Sequence, residues 1–433
     1  MPSTAIKRLD IAIESSYMSR ADGSAIPVEP SDWTPCEFCD ASQIVAFGST
    51  QTLETNASTG GFGKNPGEAL IDPYTGLPVK SGSMTIDFYL RGGLTDGQAG
   101  LLALLWTRFA YDQKAAAAAN AAVSDDGTVT FGAAPTKLQF LAYAMDDGRV
   151  TYGLADTAAA STSLYPNRTY ADSYSGRAIA PATAGTSKLV TWKINPEGAD
   201  PFSLGARSVA LRLTGDDWQQ ICYGCVMTAL TISCDGDGRA IKCSATVDCP
   251  YIEDIPVDDQ SDPEFPIVTA GPVLHSLGSP SAFYASQGND NLDGLGGGPC
   301  LSAWSIQLNW TTAGAACGSY WNGRGPLEAT ALEATADITI GSLPYASIEF
   351  FKEAWKAKDP LCVLIPFGGD LSGGASPRPW GGAIVLPGAI VANGDFTNPD
   401  LSGDAVQMQI QLQLSGTATL TNSLLPLFVL GVF

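Results

Sequence analysis

One unit occurs twice in this chain: an alternating strand that runs through a turn into a short apolar helix. Between Ser83 and Tyr111, the residues Met84, Ile86, Phe88 and Leu90 alternate with Thr85, Asp87, Tyr89 and Arg91. A period of two lays one face on a core and the other in water. Thr95 with Gln98 forms a capping-box start, and Ala99, Leu102, Leu105, Trp106 and Phe109 follow at helical spacing. Between Ala334 and Asp359, the residues Ala334, Ala336, Ile338 and Ile340 alternate with Thr335, Asp337 and Thr339. Pro344 marks the turn, and Ile348, Phe351 and Trp355 repeat the stripe. Trp106 and Trp355 hold comparable places, so the spacing predicts that both are buried under their sheets. A chain of 433 residues exceeds one ordinary core, and the repeat predicts two related domains.

With 47 glycines, 28 prolines and only 15% charged residues, the composition suits a β-rich sandwich or shell protein better than a helical enzyme. The 44 acidic against 23 basic residues leave a net charge of −21. That excess repels phosphate backbones and removes the counterion-release term that drives nucleic-acid binding, so DNA near this protein is expected not to stick. No apolar run of signal-peptide type opens the chain. The run Leu424 to Phe433 is broken by Pro426 and too short for a bilayer, and reads as a last strand or a subunit contact. Ten cysteines without an export signal read as reduced thiols, and the sequons at Asn56, Asn167 and Asn309 carry no weight without secretion.

In chain order, residues 1–40 read as an N-terminal arm, with a strand around Leu9 to Ile13 followed by Pro27, Pro30 and Pro35. Residues 41–255 form the first expected domain. Gln43 to Glu54 reads as its first strand, with Leu301 to Trp310 as the echo in the second half, and residues from about 114 to 206 read as an insertion. Cys225 to Ser233, the turn Asp235 to Gly238, and the alternation of Ile241, Cys243, Ala245 and Val247 predict a hairpin. An acidic, proline-spaced linker covers 256–270, and 271–433 form the second domain. That domain closes on Met408, Ile410, Leu412 and Leu414 alternating with Gln407, Gln409, Gln411 and Gln413.

Sites for chemistry are sparse. The single histidine, His275, sits in a strand-edge context, and no Gly-x-Ser-x-Gly elbow accompanies it. The aspartate pairs beginning at Asp125, Asp146, Asp216 and Asp258 read as solvated turns. Cys36-x-x-Cys39 and Cys222-x-x-Cys225 have metal-knuckle spacing and together would make a four-cysteine zinc set, against the plainer reading of Cys as a small buried residue. Asn289, Asn291, Asp293 and Gly294 imitate a calcium loop, but its twelfth position is Cys300 in place of a glutamate. Gly63-Lys64 lacks the leading glycine of a phosphate loop. The expectation is therefore no catalytic, cofactor or metal residue.

Four stretches carry a family resemblance: Leu9 to Tyr17, Gly82 to Ile86, Tyr223 to Ile232, and Ala336 to Gly341. In their order the chain resembles the tail tube proteins of long-tailed bacteriophages, in the larger form with two tube domains. The resemblance implies a mainly β fold of two tandem β-sandwich tail-tube domains, each with a flanking α-helix. Their inner strands would form a β-barrel tube on oligomerisation, which leaves no free edges. It also implies a non-enzymatic virion protein whose homotrimeric, pseudo-hexameric rings stack into a tail tube, assembled in the host bacterial cytoplasm. The expected partners are further copies, other tail proteins such as the tape measure and terminator, and double-stranded DNA in passage, with no membrane. The 114–206 stretch departs from the simplest pattern and suggests an exterior decoration. Two other readings stay open: a surface β-sandwich adhesin or carbohydrate-binding module, and a hydrolase with an unusual carboxylate pair.

Overall fold

The computed structural model describes chiefly residues 8–14, 33–36, 80–92, 99–115, 150–155, 161–165, 188–194, 207–215, 218–235, 240–255, 273–275, 284–287, 300–316, 324–341, 345–368, 381–394, 407–414 and 427–432, with shorter pieces between them. Among these the protein is mainly β, and one sixteen-stranded antiparallel sheet that does not close on itself dominates it. We label its main elements β1 (Arg8–Ile13), β2 (Lys80–Tyr89), α1 (Ala99–Trp106), β3 (Val209–Thr214), β4 (Gln219–Cys234), β5 (Lys242–Ile255), β6 (Cys300–Ala316), β7 (Arg324–Gly341), α2 (Tyr345–Ala357), β8 (Leu361–Gly368), β9 (Gly381–Gly394), β10 (Gln407–Leu414) and β11 (Phe428–Val432).

Each alternating pattern in the sequence becomes a strand with one buried face. Met84, Ile86 and Phe88 of β2 are buried, as are Ile306 and Leu308 of β6, Ala336 and Ile338 of β7, and Met408, Ile410 and Leu412 of β10. The intervening residues of these strands are exposed or half-buried. The hairpin expected around residue 235 is present, with Ser233 opposite Lys242.

β4 organises the sheet. One of its edges pairs with β5 along nearly its whole length. The other edge pairs first with β3, from Gln219 to Cys225, and then with β6, from Ala229 to Cys234. Beyond β6 the order continues β7, β10, β9 and β11, and β2 lies outside β5. The first and second halves of the chain therefore share one backbone ladder.

Several elements differ from expectation. The strand expected around Leu9 to Ile13 is β1, and its partner is β3, along whose length it pairs with Leu9 and Ile11 buried. Within the stretch read as an insertion, strands between 122 and 165 form a separate five-stranded sheet, but Lys188–Ile194 joins the main sheet between Ala110–Ala115 and β11. The C-terminal run is the last strand, as one of its two readings had it: β11, buried throughout. The Thr95–Gln98 cap, the Gln43–Glu54 strand and the 256–270 linker lie outside the described residues.

The expected burial of the two tryptophans needs correcting. On α1 the fully buried residues are Leu101, Leu104 and Leu105, while Trp106 is half-buried under the Arg207 guanidinium, 5.0 Å from its ring centroid. Arg207 also donates to the Trp106 and Phe109 carbonyls at 3.4 and 3.5 Å, closing the helix end. On α2, Phe351 and Ala354 are buried, but Trp355 is 43% exposed, as are its neighbours through Pro360. Periodicity gives the angle of a residue around a helix but not how far along the helix its sheet reaches, and the last turn of α2 runs past that limit. Phe351→Ala is therefore expected to cost about 3–5 kcal/mol. Trp355→Ala should cost about 1 kcal/mol or less. Chemical denaturation of the two variants, followed by circular dichroism, checks the contrast.

Candidate functional site, an open polar sheet face

The opposite face of the sheet is polar, and strand register decides which side chains share a row. Starting from β2, one row runs Asp87, Ser244, Thr231, Gln307, Thr335 and Gln413 across β5, β4, β6, β7 and β10. The next row runs Tyr89, Lys242, Ser233, Ser305, Asp337 and Gln411 through the same strands. All are uncharged polar or aromatic apart from Asp87, Lys242 and Asp337. Lys242 Nζ lies 2.6 Å from Asp87 Oδ2, and the Ser244 hydroxyl donates to Asp87 Oδ1 at 2.6 Å. Thr85 and Thr246 share a hydrogen bond of 3.1 Å across β2 and β5. With exposed Glu333 one row further on, these rows hold three carboxylates against one lysine.

This face is open only over part of the sheet. From Gln219 to Met227 every residue of β4 is buried. There Tyr17, Ile221, Tyr223 and Tyr251, with Trp33 beside them, make a second small core on the otherwise polar side. Beyond Thr228 the burial alternates again and the polar face begins.

At its far end the β6–β7 hairpin projects. Beyond Asn309 and Thr335 its strands pair with each other and, among the described residues, with no third strand. Both sides of this projection carry exposed or half-exposed residues, including Leu327, Ala329 and Ala331. A two-stranded ribbon of this kind is marginal alone in water.

Among the described residues, those weighed for chemistry are not assembled into a site. Cys36 seats against α1, where a Cβ on Gly100 would fall 1.8 Å from its sulfur, and its N–H donates to Leu9 at 2.8 Å. Its neighbour Pro35 pairs with β1, β1 with β3 and β3 with β4. Three ladder steps put Cys36 roughly 14 Å from Cys222, too far for shared zinc ligation. Among the described residues no group of three or more His, Cys, Asp or Glu is placed to hold a metal ion. His275 is exposed, bridges Ala240 through the backbone, and accepts a hydrogen bond from Gly368 N–H at 2.9 Å. Cys39, the four aspartate pairs, residues 289–299 of the calcium-like loop and Gly63-Lys64 lie outside the described residues, while Cys300 opens β6 opposite Gly341.

Two buried carboxylates, which sequence reading did not single out, are fully engaged in structure. Asp10 is 0% exposed and accepts from Arg8 Nε at 2.9 Å and Arg212 Nη2 at 2.9 Å, while Arg212 covers the Trp33 ring at 4.7 Å. Glu14 accepts from the Ser208 hydroxyl and, at 3.1 Å, from Gly224 N–H. At the end of α1, burial draws the Arg108 guanidinium down to about 10 against the opposing pull of Asp248, and Nε donates to the Met227 carbonyl at 2.7 Å. Burial likewise pushes the Asp248 carboxyl up. These groups tie β1, β3, β4 and α1 together. No helix among the described residues is long and apolar enough to cross a membrane. The chain matches no family model and no curated protein.

The Asp10 network gives a direct expectation. Asp10→Ala leaves two guanidinium groups without their shared carboxylate beneath Trp33, and should cost about 3–5 kcal/mol. Loss of the denaturation midpoint relative to the parent measures it.

Proposed function

We propose that the protein is a structural component of the tail tube of a long-tailed bacteriophage, polymerising as stacked, pseudo-hexameric trimers around a channel for DNA. The observation that carries this reading is the single ladder of seven strands, β2, β5, β4, β6, β7, β10 and β9, to which both halves of the chain contribute and whose first six strands share one continuous polar face. Its two ends suit head-to-tail closure. At one end, among the described residues, β2 meets only Asp40 and Ala41 on its outer edge. At the other, the Ile390–Gly394 part of β9 has β10 on one edge and extends past the end of β8 on the other. Unpaired strand edges of this length invite pairing with another chain, and a closed ring removes them.

The dimensions are consistent with that role. Three copies of seven strands, spaced about 4.8 Å and tilted about 40°, close at roughly 40 Å across the backbone and leave roughly 30 Å between side chains, enough for a DNA duplex. Glutamine, threonine and serine would line it, with few charges and a slight acidic excess. Such a wall offers no array of cations for phosphates to displace counterions from, so DNA slides without being held. The two domains of the resemblance, each a sandwich with its helix, correspond in this reading to the halves before and after the 256–270 linker. The virion tail, reached by assembly in the host cytoplasm, is the corresponding location, and the tape measure and terminator are the corresponding partners.

The projecting β6–β7 hairpin is the contact we assign to the next ring. It is long, exposed on both sides and carries small apolar residues that a neighbour would cover. Negative-stain microscopy and sedimentation at rising concentration should show threefold rings and tubes. Leu327→Glu combined with Ala329→Glu should leave rings that no longer stack. A globular monomer at all concentrations would overturn the tube reading and favour a surface adhesin or carbohydrate-binding module instead.

A further inference from the structure

Three thiols meet in the core where β4 and β5 both carry an extra residue. Between β3 and β4 the register slips from Val209 opposite Cys225 to Leu211 opposite Cys222, so β4 holds one residue too many, at a place where Gly224 takes a φ of 66°. Between β5 and β2 it slips from Cys249 opposite Gly82 to Ile252 opposite Lys80, with Pro250 in the extra length. The two bulges lie side by side, since Tyr223 faces Tyr251 and Val226 faces Asp248. Uninterrupted alternation would put Cys222 and Cys225 on opposite faces. The bulge returns both to the main core, and the same register makes Cys249 the direct neighbour of Cys225.

The sulfurs of Cys225 and Cys249 are 3.3 Å apart, and all three cysteines are fully buried free thiols. Directly opposed strand residues have Cα separations of about 4.5–5.5 Å, inside the range a disulfide spans without backbone movement. We propose that Cys225 and Cys249 form a reversible disulfide across the paired bulges, with Cys222 as the exchanging thiol and a small-molecule disulfide as oxidant.

The chemistry balances in three displacements. As the chain refolds, before the core closes over it, the Cys222 thiolate attacks the oxidant, forms a mixed disulfide and releases one small-molecule thiol. Cys249 then attacks the Cys222 sulfur and expels the second small-molecule thiol, leaving a Cys222–Cys249 bond. Cys225 attacks Cys249 in turn and returns Cys222 as a thiol. The net change is loss of a hydrogen from each of Cys225 and Cys249 and reduction of one disulfide to two thiols. Hydrogen bonds from Cys225 and Cys249 draw the Cys222 thiol down, which makes it the better leaving group in the last exchange. Burial pushes the Cys225 thiol up, and the hydrogen bond between Cys249 and Cys222 pushes the Cys249 thiol up. The bond would clamp the ladder at the level where two adjacent strands are out of step with their outer neighbours.

The test uses the full chain, refolded and incubated with oxidised glutathione, then mapped by non-reducing peptide mass spectrometry with fragment-ion location. A bond between Cys225 and Cys249 is expected, with a Tm higher by a few degrees that dithiothreitol reverses. Cys222→Ser should slow formation of this bond several-fold without abolishing it, whereas Cys249→Ser should abolish it. The mapping of the unsubstituted chain stands even where a serine variant fails to fold. Recovery of Cys225 and Cys249 as free, alkylatable thiols, or as stable glutathione adducts, overturns the proposal.

Discussion

A β-strand has two edges, and each must find hydrogen-bond partners along its whole length or leave buried amides and carbonyls unpaired. β4 meets this constraint with three neighbours, giving one edge to β5 and dividing the other between β3 and β6. That division has structural consequences along the whole sheet. Where β4 pairs with β3, the tyrosine cluster covers a second face and every β4 residue is buried. Where it pairs with β6, the second half of the chain enters the same ladder and the polar face opens. A sheet that joined its halves only through side-chain packing could slide; one joined through backbone hydrogen bonds has its register fixed.

The change from two-sided to one-sided burial needs an adjustment of phase, and the bulges supply it. The shift at Gly224 and Pro250, followed by a second between Met227 and Ala229, resets which side chains face the main core. Pro250 suits such a place because a bulged residue need not donate to the ladder. Glycine suits position 224 because its φ is positive, and its N–H is held by Glu14, just past the end of β1. Backbone irregularity, a buried carboxylate and the thiol cluster are thus parts of one local solution.

The electrostatics divide along the same line. Buried charge is concentrated at the doubly covered end, where Asp10 is matched by Arg8 and Arg212 in a low-dielectric setting. On the open face the matched pair Lys242–Asp87 is accessible to water and most other positions are neutral. The net charge of −21 is therefore not mainly a property of the described open face, whose rows are dominated by hydroxyl and amide side chains.

The alternation of Met84 to Leu90, Trp304 to Trp310, Ala334 to Ile340 and Met408 to Leu414 determined by itself that these are strands and which face of each is apolar, because a period of two couples directly to the pleat. It also placed both helices after their strands. Sequence spacing could not decide partners. That β4 pairs with β6, that β1 enters the sheet and that Lys188–Ile194 lies beside β11 depend on contacts between segments far apart in the chain. The polar face was written in the sequence residue by residue, yet its rows exist only through register. For the same reason Cys222-x-x-Cys225 suggested a partner in Cys36, whereas tertiary structure gave it Cys249: a bulge shifts the phase of a strand, and only the paired neighbour shows where that shift falls.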